Sequence, residues 1–284
     1  MRKLLIMFAC TVLSLQIKAQ YIEVGATGGV SSYVGELQPG LPENRSFGAT
    51  YGALVRYNYS PRLAFKVTAI SGEFYATDRY SKSSRFYRNL EARTKYYELA
   101  ATAELNLVKL DVLDGKITAP YFFAGVAGYY FNPQARNTYG QQTQWIDLRP
   151  LGTEGQTLDG GKPYSAFQVA IPVGMGIKFA ITQRLNIGFE GGLRYCFTDY
   201  LDDVSGNYPD FATMVEKNPT ALPFTFRTPE LTGQKMEYPS GELRGDRFKS
   251  DYYYYLGATV TYNLADKRKM EFNKSYRSFW SNNR

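Results

Sequence analysis

Eight charged residues stand at positions where charge is expensive: Glu23, Glu98, Glu104 and Glu190, with Arg56, Lys66, Lys178 and Arg194. Each interrupts an alternating apolar run, and each falls on the minority face of its run. Four acids and four bases balance, so the chemistry they point to is mutual pairing in an enclosed space. A second group, Asp199, Asp202 and Asp203, puts three carboxylates within five residues. Such oxygen ligands could take a hard cation, but the spacing is not that of an EF-hand loop. They read rather as loop tethers, accepting backbone N–H bonds and pairing with loop arginines such as Arg88 or Arg149. Glu154, in Thr153-Glu154-Gly155-Gln156, has no partner at fixed spacing and reads as a turn lock. No catalytic residue, metal or cofactor is assigned. The chain contains no histidine, which excludes a histidine base and histidine metal ligands.

The elements that must hold these charges are strands. From Ser165 to Tyr195, Phe167, Val169, Ile171, Val173, Met175, Ile177 and Phe179 alternate with small or polar residues. After a turn at Gln183-Arg184, Leu185, Ile187, Phe189, Leu193 and Tyr195 resume the rhythm. A period of two over two long segments is a β-hairpin. Similar runs span Tyr21–Tyr33, Thr50–Tyr59, Leu63–Ala69, Tyr96–Leu107 and Asp251–Leu264. Tyr121–Phe131 is also a strand, but its faces are too alike to orient. Pro172, inside a central strand, implies a bulge or a break there.

These runs make eight strands, each long enough to cross a bilayer when tilted. Connections two to three and six to seven are tight, and Val108–Thr118 is moderate. The others, Val34–Ala49, Ala76–Lys95, Asn132–Tyr164 and Cys196–Ser250, are long. Short turns at one end and long loops at the other predict an all-β fold: an eight-stranded antiparallel outer-membrane barrel with extracellular loops and both termini periplasmic. A barrel of eight strands has room for side chains and little else. The charge set therefore reads as a plug of the lumen rather than a transport path, and a general porin is disfavoured.

Composition agrees. With 25 Tyr, 18 Phe and 26 Gly among 284 residues, and a mean hydropathy of −0.35, the chain suits alternating strands better than membrane helices. Residues 1–19 read as a signal peptide, with Arg2-Lys3 before an apolar stretch and Ala19 before Gln20. Its removal with Lys18 takes three charges from the formal +7. One cysteine, Cys196, would remain, so no internal disulfide is expected. Residues 20–264 form the barrel and 265–284 a basic periplasmic tail. That tail carries Lys267, Arg268, Lys269, Lys274, Arg277 and Arg284 against Asp266 and Glu271, with Phe279 and Trp280 among them. Lys267, Arg268, Lys269 and Trp280 are its candidate partner-binding residues. The loop Ala76–Lys95 is also basic and would face anionic lipopolysaccharide or a protein. An exported barrel argues against nucleic acid as a partner.

Several pieces carry a family likeness. They are Pro120-Tyr121-Phe122-Phe123-Ala124-Gly125 leading to Phe131-Asn132-Pro133-Gln134-Ala135, and Leu151-Gly152-Thr153-Glu154-Gly155-Gln156 with Gly161-Lys162-Pro163-Tyr164. To these add Ile171-Pro172-Val173-Gly174-Met175-Gly176-Ile177-Lys178 and Asp199-Tyr200-Leu201-Asp202-Asp203-Val204-Ser205. Together they resemble the Bacteroidota outer-membrane barrel family that contains PorG, a component of the type IX secretion system. The resemblance implies a non-catalytic barrel, seated among outer-membrane lipids, that anchors a periplasmic ring of PorK and PorN type. The alternative is a barrel that binds a small ligand, ion or lipid through its extracellular loops.

Overall fold

The computed structural model describes residues 21–38, 46–80, 85–108, 117–136, 144–182, 184–234 and 236–264. The expected signal peptide and the basic tail, with Lys267, Arg268, Lys269 and Trp280, lie outside the described residues. Among the described residues nine strands follow in order: β1 Tyr21–Val34, β2 Gly48–Asn58, β3 Leu63–Thr77, β4 Glu91–Asn106, β5 Thr118–Arg136, β6 Trp145–Asp147, β7 Phe167–Ala180, β8 Leu185–Cys196 and β9 Tyr252–Asn263. Neighbours pair antiparallel in the order β4-β3-β2-β1-β9-β8-β7-β5, and β4 pairs with β5. The eight long strands therefore close on themselves and leave no edge in the wall. β6 is the exception: it adds to the far end of β5, pairing Gln134–Arg136 with Trp145–Asp147 outside the ring.

Alternation decides which face turns outward. Tyr51, Leu99, Val126, Phe167 and Met175 point away from the ring and are each about 60% or more exposed. Ile22, Val55, Val67, Phe122, Val169, Phe189, Leu256 and Val260 share that outer surface. A continuous apolar belt around a closed barrel is the surface a bilayer covers, and the chain is a transmembrane β-barrel. The ladder also orients Tyr121–Phe131, whose pattern is ambiguous by itself. Tyr121, Phe123, Tyr129 and Phe131 point inward, and Phe122 and Val126 outward.

Three expectations change. β3, β4 and β5 run past the belt, so the basic segment Ala76–Lys95 is in part strand. Arg93 and Lys95 belong to β4, and Arg93 stacks on Trp145 at 4.2 Å. Above the membrane both faces of a hairpin touch protein or water, and the alternation that marks a strand in lipid fades. Pro172 makes no bulge: β5 and β7 keep one register from Thr118↔Phe179 to Tyr130↔Phe167. The ladder merely lapses at Gly125 and Val126, opposite Pro172 and Ile171, because proline has no N–H to give. Finally, the interior is not polar throughout. Its loop-side half holds Tyr33, Phe74, Tyr96, Tyr129, Phe131 and Tyr253, each no more than 3% exposed.

The connections sort by end. Turns 59–62 and 181–184 and the connection 107–117 lie at the end where β1 starts and β9 finishes. Connections 35–47, 78–90, 137–166 and 197–251 lie at the other. Short helices at Arg85–Arg88, Leu148–Leu151, Phe211–Lys217, Leu222–Thr225 and Thr228–Thr232 break up these long segments. The Asp210 side chain caps the longest of them, accepting from the Thr213 N–H at 2.9 Å.

Candidate functional site: the filled bore and its loop cap

The lumen charges meet. Glu23 and Arg56 are direct cross-strand partners in the β1–β2 ladder, 2.7 Å apart. Arg56 and Lys66 are likewise opposite one another on β2 and β3. Two cations so placed repel. Glu104 from β4 relieves this by reaching between them, 2.9 Å from Arg56 and 3.2 Å from Lys66. It also takes Lys178 of β7 at 2.5 Å, and no part of Glu104 is exposed. Lys66 then reaches Glu190 of β8 at 2.6 Å, and the Tyr121 hydroxyl donates to the same carboxylate at 2.7 Å. Leftover capacity is met by Asn58 and Thr261, which donate to Glu23, and Asn106, which accepts from Lys178.

Six of the eight residues thus form one network at the turn end: Glu23, Arg56, Lys66, Glu104, Lys178 and Glu190. The other two, Glu98 and Arg194, pair separately at 3.4 Å, with the Tyr253 hydroxyl also on Glu98. β3 and β8 stand four places apart around a ring of eight, so the Lys66–Glu190 contact crosses the full diameter. Glycine makes room for this. A Cβ on Gly176 would lie 2.5 Å from the Tyr121 ring, and one on Gly174 would lie 2.5 Å from Phe123.

Above the charges the bore is closed by rings. Tyr96 of β4 and Tyr253 of β9, again on opposite walls, lie 5.0 Å apart. Phe74 packs on Tyr33, Tyr96 and Tyr253, with centroids 5.6 to 6.1 Å away. The stack continues through Tyr129 and Phe131 to Tyr164 and Tyr200 in the loops, the last pair only 4.3 Å apart. Centroid distances of this kind are those of attractive aromatic pairs. Leu201 and Val204 seat the β8–β9 connection on top, each 1% exposed.

The loop acids fall into two groups. Asp203 accepts from the Thr153 hydroxyl at 2.5 Å and the Tyr164 hydroxyl at 2.8 Å. Its left-handed backbone (φ 65°) turns its carbonyl to Arg244, which donates at 2.6 Å. Glu154 accepts from the backbone N–H groups of Ser205 and Gly206, both at 2.9 Å, and pairs with Arg244 at 2.8 Å. Arg244 is therefore the arginine the motif uses. Arg88 instead holds Asp78 at 2.6 Å, and Arg149 donates to the Tyr164 carbonyl. Sequence spacing gives no hint of Arg244, which lies in an irregular segment without period.

Asp199 and Asp202 face the other way. Asp202 takes the Tyr33 hydroxyl at 2.7 Å and the N–H groups of Leu37 and Val204. Tyr33 also donates to Asp251 at 3.0 Å, and Asp251 accepts from Leu201 N–H. Glu36 joins them, so that one oxygen each of Glu36, Asp202 and Asp251 lie within 4.8 Å of one another. Burial, then the Asp199 carboxylate, pushes Glu36 up to about 8. Burial pushes Asp199 up to about 7 and Asp203 up to about 6, the latter against the pull of Arg244. Asp202 and Asp251 are raised as well, first by burial. Glu36 and Asp251 carry no signal in the sequence that sets them apart from other loop acids.

A family model described as a domain of unknown function, DUF6089, matches residues 2–148 and 153–218. The chain belongs to this family. No curated protein matches it. Among solved structures it is similar to Neisserial surface protein A (12% identity, TM-score 0.41, covering 85% of this chain and 96% of that one). It is similar also to the N-terminal β-barrel domain of Pseudomonas aeruginosa OprF (11%, 0.37, 86% and 97%). A third is a major outer membrane protein from Thermus thermophilus (11%, 0.41, 87% and 100%).

Proposed function

We propose that this DUF6089 protein is a non-catalytic scaffold of the outer membrane, which anchors the periplasmic ring of a type IX secretion machine. The observation that carries the scaffold reading is the filled bore, crossed on its diameter by Lys66–Glu190 and again by Tyr96–Tyr253. A wall so plugged offers its surfaces and ends to partners, and not its axis to cargo. The outer belt supports residence among lipids. The gathering of the short turns with the start of β1 and the end of β9 supports periplasmic termini.

The ring attachment rests on the motif resemblance and on the basic, aromatic tail, Lys267, Arg268, Lys269 and Trp280, which suits an acidic protein surface. Partners of PorK and PorN type are therefore expected. A tagged full-length barrel, extracted in detergent from its own cells, should carry the ring lipoprotein with it. A version ending at residue 264 should reach the membrane in equal amount and lose most of that partner. Recovery of the intact barrel alone would contradict the ring role while leaving the plugged barrel standing.

The second reading, recognition of an ion or small ligand by the extracellular loops, is favoured by one observation. The carboxylates of Glu36, Asp202 and Asp251 converge where ordinary loop tethering would keep them apart.

A further inference from the structure

Four carboxylates from separate stretches of chain come together under the loop cap. Glu36 comes from the β1–β2 connection, Asp199 and Asp202 from the start of the β8–β9 connection, and Asp251 from its end. Three observations bear on what they hold. First, oxygens of Glu36, Asp202 and Asp251 lie within 4.8 Å of each other. Ca²⁺–oxygen bonds run about 2.3–2.6 Å, so ligands on opposite sides of one ion are separated by roughly 4.6–5.2 Å. Second, Asp199 is 8% exposed, yet neither of its carboxylate oxygens makes a well-formed hydrogen bond; its polar neighbours are Ser205 and another carboxylate, Glu36, whose Oε2 is unmet as well. Buried carboxylate oxygens left without partners are costly.

Third, the cations that approach form their ion pairs with other acids, while Arg85 and Arg88 reach only the backbone carbonyl of Glu36, at 3.0 and 3.3 Å. Arg88 binds Asp78 at 2.6 Å, Lys249 binds Asp246 at 3.0 Å and Arg244 binds Glu154 at 2.8 Å. The ion pairs among the described residues include none of the four acids. Tyr33 has one proton to share between Asp202 and Asp251. Either protons or a cation must balance the four acids.

We propose that Glu36, Asp199, Asp202 and Asp251 form a calcium site that pins the β1–β2 connection to the β8–β9 connection. The donors are all hard oxygens, which select Ca²⁺ or Mg²⁺ over softer metals. Ca²⁺ fits better, because irregular, loop-borne ligands meet its flexible coordination more readily than the strict octahedron of Mg²⁺. A cleft of about 710 Å³ opens beside Glu36, with Asp246 and the cations Arg85, Arg88, Arg244 and Lys249 also in its lining. This site does not depend on a secretion role, and its test is separate from the pull-down.

The test uses the full chain in detergent, freed of lipopolysaccharide and stripped with a chelator, since that lipid binds divalent cations itself. Terbium stands in for calcium, and the adjacent Tyr33 can sensitise its emission. Tyrosine excitation should give terbium luminescence that Ca²⁺ displaces with an apparent dissociation constant on the order of 10⁻⁴ M or tighter. Glu36→Gln with Asp199→Asn should weaken the displacement about tenfold or more, because affinity follows ligand charge. Glu36→Gln alone, a change at the rim of the site, should weaken it in the same direction and covers the case in which the double variant does not fold. No displaceable luminescence in the native chain, or equal affinity in a folded variant, would overturn the site.

Discussion

At the residue scale, Glu104 is the group on which the lumen turns. It touches Arg56, Lys66 and Lys178 and is fully buried. Without it, Arg56 and Lys66 face each other across the β2–β3 ladder with no anion between them. A buried pair broken on one side costs more than the pair contributes when intact, because the surviving charge is stranded. Glu104→Gln leaves Lys178 with no carboxylate and Arg56 and Lys66 with only Glu23 and Glu190. Unfolding in urea and detergent should show a loss of about 3–5 kcal/mol. Arg62→Ala, at an exposed turn, should change stability by no more than about 0.5 kcal/mol. Similar midpoints for the two variants would mean that the network is solvated and the bore wet.

At the element scale, the cap behaves differently from the barrel beneath it. Asp203, pushed up to about 6, faces Thr153, Tyr164, Glu154 and Arg244; Asp199, pushed up to about 7, faces Glu36 and Asp202. In an unfolded chain an aspartate ionises near 4. Between these values the folded cap keeps protons that the unfolded segment releases, so its stability falls as pH rises. The contribution is complete below about pH 4 and is lost as pH climbs through about 6 to 7. With chelator present, amides of 198–205 should lose hydrogen-exchange protection between about pH 5 and pH 8, after correction for intrinsic rates. Protection that grows over that interval would show that the acids are stabilised as anions instead.

The same scale shows what the chain makes readable. In β1, β4, β7 and β8, lipid on one side and a tight lumen on the other enforce a period of two, and Glu23, Glu98, Lys178 and Arg194 stand out against it. β5 is ambiguous because Tyr121, Phe122 and Phe123 put an aromatic on either face. The loop-side ends of β3 and β4 and the whole of β6 escape a sequence reading, since beyond the bilayer neither face must be apolar. Asp199, Asp202 and Asp203 are visible as a cluster. Glu36, Arg244 and Asp251 are not, because irregular segments bring them in from distant positions with no spacing rule to follow.

At the scale of the whole molecule, the chain is a closed wall, greased outside, with ion pairs filling the turn end and stacked rings the loop end. Both layers span the diameter, and the cap seals the upper one through Leu201 and Val204. A scaffold needs such rigidity, and a pore needs its opposite. The measurement that bears most directly on this is ionic conductance of the purified full chain inserted into a planar lipid bilayer. Inserted barrels, verified by their heat-dependent mobility on gels, should pass no steady current at moderate voltage. A stable, ohmic single-channel conductance in the native chain would contradict the plugged bore and the scaffold function built on it.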